Sequence, residues 1–228
     1  ARSANNFTLN DLEKISAICK EHHIKTYLTL NTVIYDNELD LVKNILIAAQ
    51  KNYISAVIAS DMSVIQIARE MGIEVHMSTQ CNITNTQAVK YYAQFADVIV
   101  TARELSLKQV AEIVKNIKQD NITGPSGHLI QIEIFAHGAL CMAVSGKCYL
   151  SLDNMNYSAN RGACLQLCRR SYLVKDKEEE HELEIAHEYI MSPKDLCTIG
   201  FLDIILKAGV RVLKIEGRGR SPEYVKTV

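Results

Sequence analysis

A strong net charge is missing from this chain: 25 Lys and Arg stand against 26 Asp and Glu, a formal net charge of −1. Charges of both signs are mixed along most of its length, so the long-range attraction behind nonspecific nucleic-acid binding is not a property of the whole molecule. Any RNA contact has to be local. Also missing is an apolar run near the roughly 20 residues that span a bilayer. The first residues, Ala1 to Asn6, hold no signal-peptide core. These absences predict a soluble, cytoplasmic protein with no membrane partner. There is no initiator Met, and the chain opens directly into a helix signal, so it is expected to begin partway through a longer protein. A balanced cysteine count is absent too: seven cysteines, an odd number in a mid-sized chain, argue against a disulfide framework.

What is present is 48% hydrophobic content over 228 residues, enough for a substantial core and incompatible with disorder. After Thr8, a helix cap, Leu12, Ile15 and Cys19 fall on one helical face. A strand-like run at 25–30 precedes a helix carrying Leu39, Val42, Leu46 and Ala49 on one side. The alternation continues with strands at 56–59, 74–77, 98–100, 129–135 and 212–215, and helices at 63–71, 85–95, 106–118 and 199–207. Six strands separated mostly by single helices predict an α/β fold with parallel strands and right-handed crossovers, either an open sheet or a barrel.

The residues at the strand ends favour a (β/α) TIM-like barrel. They are Asn31, Asp61, Thr79 with Gln80, Arg103 with Glu104, His137, and Glu216 with Gly217 and Arg218. Barrel enzymes gather their chemistry on the face formed by these carboxyl ends, although polar residues also follow strands simply because loops are polar. An ideal barrel has eight strands and six are legible, so 1–228 is expected to be one N-terminally truncated, incomplete barrel domain. Between His137 and Ser192 the alternation breaks, which predicts a Cys-rich inserted module at 138–192 on the catalytic face. Within it, 171–174 and 189–191 are expected to pair as a hairpin around the Glu-rich run 178–182.

The cysteines of this module run Cys141-x6-Cys148-x15-Cys164-x3-Cys168, with Cys197 after 28 further residues. Structural zinc sites more often use C-x2-C or C-x4-C knuckles, and neither is present. Irregular loop-borne spacing suits an iron–sulfur cluster, with Gly138, Gly146 and Gly162 giving the frame backbone freedom. Zn is the second reading and unmetallated thiols the third.

The run from Glu133 to Cys141 and on through Ser145-Gly146-Lys147-Cys148-Tyr149-Leu150-Ser151 closely resembles the signature of the collagenase-like peptidase family U-32. So do Ser158 to Arg169, Ser192-Pro193-Lys194-Asp195-Leu196-Cys197 and Lys214-Ile215-Glu216-Gly217-Arg218. The upstream segments Leu30-Asn31, Ser78-Thr79-Gln80 and Ala102-Arg103-Glu104 also look like family blocks, so the resemblance covers essentially the whole chain. It implies oxygen-independent hydroxylation with a 4Fe-4S cluster, on the wobble uridine of tRNA, on an rRNA cytidine or on the ubiquinone ring. For the RNA group it implies a prephenate-like small dicarboxylate as a required metabolite. By position the implied cluster ligands are Cys141, Cys148, Cys164 and Cys197, with Cys168 close enough to replace Cys164.

Residue chemistry assigns the remaining candidates. His137, Glu133 and Glu216 are the catalytic candidates, His137 as a donor to a cluster sulfur or a proton carrier beside the first ligand. Arg103 and Arg218, with Glu104 and Gln80, are the substrate-binding candidates, because forked guanidinium donors suit carboxylates and phosphates. The family label also raises a peptidase as the alternative. The zinc-protease H-E-x-x-H helix is absent, since the next histidine after His181-Glu182 is His187, and so is a G-x-S-x-G elbow. A cysteine nucleophile paired with His137 stays chemically open.

Overall fold

The structure, a computed structural model, describes residues 7–144, 147–175, 177–179, 181–185, 189–217 and 220–228. The elements in chain order are α1 (Leu9–Glu21), β1 (Tyr27–Leu30), α2 (Leu39–Lys51), β2 (Ala56–Ala59), α3 (Met62–Glu70) and β3 (Val75–Met77). They continue with α4 (Thr86–Tyr92), β4 (Val98–Val100), α5 (Leu107–Gln119), β5 (Gln131–Gly138) and α6 (Leu150–Met155). Last come β6 (Tyr172–Lys175), β7 (Glu182–Ile185), β8 (Leu196–Cys197), α7 (Leu202–Lys207), β9 (Val212–Glu216) and α8 (Pro222–Thr227). These form two compact units. A sheet unit takes the described part of Asn5–Ile134 with Phe201–Leu213, and a cysteine unit takes that of Phe135–Gly200 and Lys214–Val228.

In the sheet unit, β1 pairs with β2, β2 with β3, β3 with β4 and β4 with β5, every pair parallel. The Arg211 amide before β9 donates to the Ile132 carbonyl on β5, where β9 joins the sheet. Each strand therefore lies beside its predecessor, and the connections among β1 to β5 run through α2, α3, α4 and α5. The register sorts side chains by face. Val57, Ala59, Val75, Met77 and Ile99 join Val42, Leu46, Val64, Ile65, Val89, Val110 and Ile113 of the helices in one core. Leu46 and Ile65 are completely buried there, each contributing about 1.5–3 kcal/mol of hydrophobic stabilisation. A closed barrel is not formed: among the described residues β1 pairs with β2 alone, and the sheet stays open. The seven strands of this sheet, one of them the short antiparallel β8, fall short of the eight parallel strands that close a barrel of this kind.

Local chemistry starts the helices where the sequence places them. The Thr8 amide and hydroxyl both donate to Asp11, which draws the Asp11 carboxyl below its ordinary value and seats the first turn of α1. Ser106 and Gln109 cap α5 reciprocally, the Ser106 amide donating to Gln109 Oε1 at 2.9 Å and the Gln109 amide to Ser106 Oγ at 3.4 Å. Replacing Ser106 with Ala is expected to cost about 1 kcal/mol of stability, read as a lower urea midpoint at unchanged slope.

In the cysteine unit, β6 and β7 form an antiparallel hairpin with Lys175 opposite Glu182. The first arm falls where the sequence reading put it, but the second is Glu182–Ile185 rather than 189–191. Glu182 therefore belongs to the strand and not to the tip. The period-two alternation Glu182-Leu183-Glu184-Ile185 carries the pairing signal that the acidic run obscured. β8 pairs antiparallel with the end of β5, setting Cys197 opposite His137. The segment expected as an insertion, 138–192, lies inside this larger unit.

Candidate thiol site and strand-end polar cluster

The strand ends of the sheet unit carry a connected polar cluster. Asn31 donates through Nδ2 to Ser78 Oγ at 3.1 Å. Ser60 Oγ lies 3.1 Å from the Asn31 carbonyl and 3.2 Å from Gln80 Oε1. Thr79 Oγ1 donates to the Thr101 carbonyl at 3.2 Å, and the Thr101 amide donates to the Glu133 carbonyl at 3.1 Å. Gln80 is thus held among the ends of β1, β2 and β3, while Glu133 lies buried on β5. Arg103 is half-buried and Glu104 exposed just beyond β4. Asp61 turns out to serve the fold: its carboxylate accepts from the Ser63 amide at the start of α3 and from the Ile34 amide, both at 3.0 Å. Of the two serines bonded to Asn31 and Gln80, Ser78 stands in a family block of the sequence and Ser60 carries no such mark. Their position directly after β2 and β3 was the available signal.

The cysteine unit holds the other candidates. His137 on β5 faces Cys197 in register, and its ring lies 5.9 Å from that of Tyr224 on α8. Tyr224 in turn donates its hydroxyl to the Glu216 carbonyl at the end of β9, 3.4 Å away. Tyr224 was not foreseen, since nothing in its local pattern marks it. Arg218 lies outside the described residues, as does Gly146.

Short-range contacts hold the backbone around three of the thiols. The Ala143 amide donates to Cys141 Sγ at 3.4 Å. The Cys148 amide donates to Asn160 Oδ1 at 3.3 Å, and the Leu165 amide, next to Cys164, to Ser151 Oγ of α6 at 3.1 Å. Gly138 and Gly162 take positive φ values of 101° and 86°, the freedom the sequence reading required of them. Burial pushes the Cys168 thiol up from its ordinary value, the nearby Cys141 and Cys164 push it further, Arg169 opposes them, and Cys148 adds to the rise. Cys141, Cys164 and Cys148 thus each lie within electrostatic reach of Cys168, and none of the seven cysteines is in a disulfide. Cys197 is exposed. Among the described residues, however, no three His, Cys, Asp or Glu side chains converge closely enough to hold an ion.

One carboxylate braces this region. Asp195 accepts from Arg169 Nη1 at 2.8 Å and from Arg220 Nη2. Burial works to raise its carboxyl, but the hydrogen bond and charge of Arg169, with Arg220, prevail and hold it below the ordinary aspartate value.

The whole of this chain, residues 1–228, matches the model of peptidase family U32. The chain belongs to that family. A protein of Porphyromonas gingivalis W83 named collagenase is 60% identical over 228 residues, which is 100% of this chain and 55% of that protein. The 23S rRNA 5-hydroxycytidine C2501 synthase of Escherichia coli K12 is 33% identical over 97% of this chain and 32% of its own length. The tRNA hydroxylation protein P1 of Bacillus subtilis 168 is 32% identical over 99% of this chain and 53% of its own. The chain spans about half the length of most of the curated relatives it matches. Among the described residues no helix is long and apolar enough to cross a membrane.

Proposed function

We propose that this U32 protein takes part in oxygen-independent hydroxylation of RNA in the cytoplasm, with the wobble uridine of tRNA, converted to 5-hydroxyuridine, as the first choice of target. The observation that carries the reading is the grouping of Cys141, Cys148, Cys164 and Cys168 as free thiols in one unit, an arrangement with no use in a single-nucleophile peptidase. The donor set fits a 4Fe-4S cluster chemically: four soft sulfurs, a backbone amide already donating to Cys141, and a neighbouring cation. Cys141, Cys148, Cys164 and Cys197 would hold it, with Cys168 close enough in the chain to take the place of Cys164. When bound, such a cluster passes single electrons. The same thiols would suit Zn as a structural ion, the second reading of the donor set.

The chain's own residues supply the rest. His137, opposite Cys197, donates to a sulfur or moves a proton, and Glu216 and the buried Glu133 are the carboxylates available for proton transfer. Arg103 and Gln80, with Glu104 and Arg218, bind the RNA phosphate or a prephenate-like dicarboxylate. Two named relatives modify RNA by hydroxylation, which supports RNA as the substrate class. The neighbour-to-neighbour strand order also supports a barrel-type winding of the sheet, since doubly wound open sheets reverse their order at a switch point.

The name of the 60% identical relative favours a second reading, a collagenase-like peptidase. One experiment separates the two. Deleting the gene in the source organism is expected to remove a single hydroxylated nucleoside from tRNA or rRNA, measured by mass spectrometry of nucleoside digests. The wild-type gene should restore it and a Cys148→Ser gene should not. An unchanged nucleoside profile, together with gelatin cleavage by purified protein that survives Cys148→Ser, establishes the peptidase instead. Loss of hydroxylated quinone with intact RNA would redirect the reading to ubiquinone-type chemistry.

A further inference from the structure

Three stretches of chain that bear cysteines meet at one guanidinium. Arg169 follows Cys168 directly, and its side chain is only 12% exposed. Its Nη1 donates to Asp195 Oδ1 at 2.8 Å, two residues before Cys197, and its Nη2 donates to the carbonyl of Leu140 at 3.3 Å, one residue before Cys141. The two bonds span 26 and 29 residues of sequence. Asp195 is held from its other oxygen by Arg220, and Cys197 is fixed in turn by β8 pairing with β5.

We propose that Arg169 is a positioning residue, a clasp whose forked donors draw the Cys141, Cys168 and Cys197 segments together by holding Leu140 and Asp195 at once. The geometry needs a fork. A lysine ammonium is a point charge on a flexible stem and cannot present two coplanar donors to a carbonyl and a carboxylate in fixed directions. Without the clasp, two long loop closures lose their shared tie, and the thiol-bearing backbone samples open forms. Burial makes the tie worth more than a surface ion pair, because truncating Arg169 leaves the Leu140 carbonyl and Asp195 without their shared partner. The further meaning of this clasp, gathering donors for a metal cofactor, rests on the thiol-site reading above.

The test uses the full chain purified anaerobically as wild type and as Arg169→Met, Arg169→Lys and Asp195→Asn, with the exposed neighbour Arg170→Gln as control. Hydrogen exchange on metal-free protein is followed at the Ala143 and Thr198 amides, which bond to Cys141 Sγ and to the Ala136 carbonyl. Amides of β2 and β4 serve as an internal standard for global unfolding. Exchange at Ala143 and Thr198 is expected to rise about tenfold in Arg169→Met and Arg169→Lys, with the β2 and β4 amides unchanged. Asp195→Asn keeps the cation and should show the same loosening at Thr198. After reconstitution with ferrous iron and sulfide, the electron paramagnetic resonance signal of the reduced protein should broaden or vanish in the Arg169 variants and persist in Arg170→Gln. Wild-type exchange in Arg169→Met, or full rescue by Arg169→Lys, overturns the clasp. Wild-type protein that takes up no iron while Arg169→Met still loosens both amides removes the cofactor reading and leaves the clasp standing.

Discussion

Serine in place of Cys141, Cys148 or Cys197 is expected to abolish iron retention after anaerobic reconstitution, while serine at Cys19 or Cys81 leaves it intact. The contrast follows from where the sulfurs sit. Cys141 and Cys164 raise the Cys168 thiol by direct electrostatic proximity and Cys148 adds to it, so these four share one neighbourhood. Cys81 instead packs against the core of the sheet unit, its sulfur at 4.0 Å from the Ala59 carbonyl, and Cys19 lies on α1. A serine hydroxyl stays protonated where a thiolate forms and is a hard donor where a soft one is needed, so one exchange removes a ligand outright. The measurement is iron and acid-labile sulfide per chain, with visible absorbance as a second reading. Cys164→Ser and Cys168→Ser belong in the same series: one of the two is expected to behave like Cys148→Ser and the other like Cys19→Ser, which names the third ligand. Full iron content in Cys148→Ser sinks the cluster, and zinc in place of iron in the wild type turns the site structural.

Much of the sheet unit was legible because each of its elements carries its own periodicity. The strands at 56–59 and 98–100 fall where the apolar runs put them, and α2 buries Val42, Leu46 and Ala49, the stripe read from sequence. The strand-end residues Asn31 and Gln80 share one hydrogen-bonded cluster, whereas the side chain of Asp61 answers an orphan amide at a helix start. The cysteine unit was harder to read because its order comes from contacts between distant segments. Nothing near Arg169 announces that it reaches Leu140 and Asp195, and the hairpin's second arm was hidden by the charge of Glu182 and Glu184. Cys168 is the instructive position. The family resemblance makes it a substitute for Cys164, and burial with the nearby Cys141, Cys164 and Cys148 raises its thiol.

Alanine at Gly138 is expected to be among the most damaging single substitutions in the chain, costing about 3 kcal/mol or more. Two effects add there. Gly138 holds φ at +101°, where an L side chain is strained, and a Cβ built on it would stand 2.5 Å from the Glu216 carbonyl oxygen and 3.1 Å from the Tyr224 hydroxyl. The first of those atoms is backbone at the end of β9, so a flexible side-chain tip cannot relieve the contact by swinging away. Gly72 separates the two contributions: its φ is +71° and a Cβ there would meet nothing within 4 Å, so Gly72→Ala should cost only the conformational strain, about 1–2 kcal/mol. Urea unfolding of the two variants in parallel gives the difference directly. Gly138→Ala falling no further than Gly72→Ala would mean that the end of β5 and Glu216 do not approach as closely as the structure has them. A large difference carries a consequence for chemistry as well, because the displaced atoms belong to Glu216 and Tyr224. Tyr224 lies beside His137, and His137 faces Cys197, so crowding at one glycine is transmitted to the catalytic candidates of the unit through two contacts.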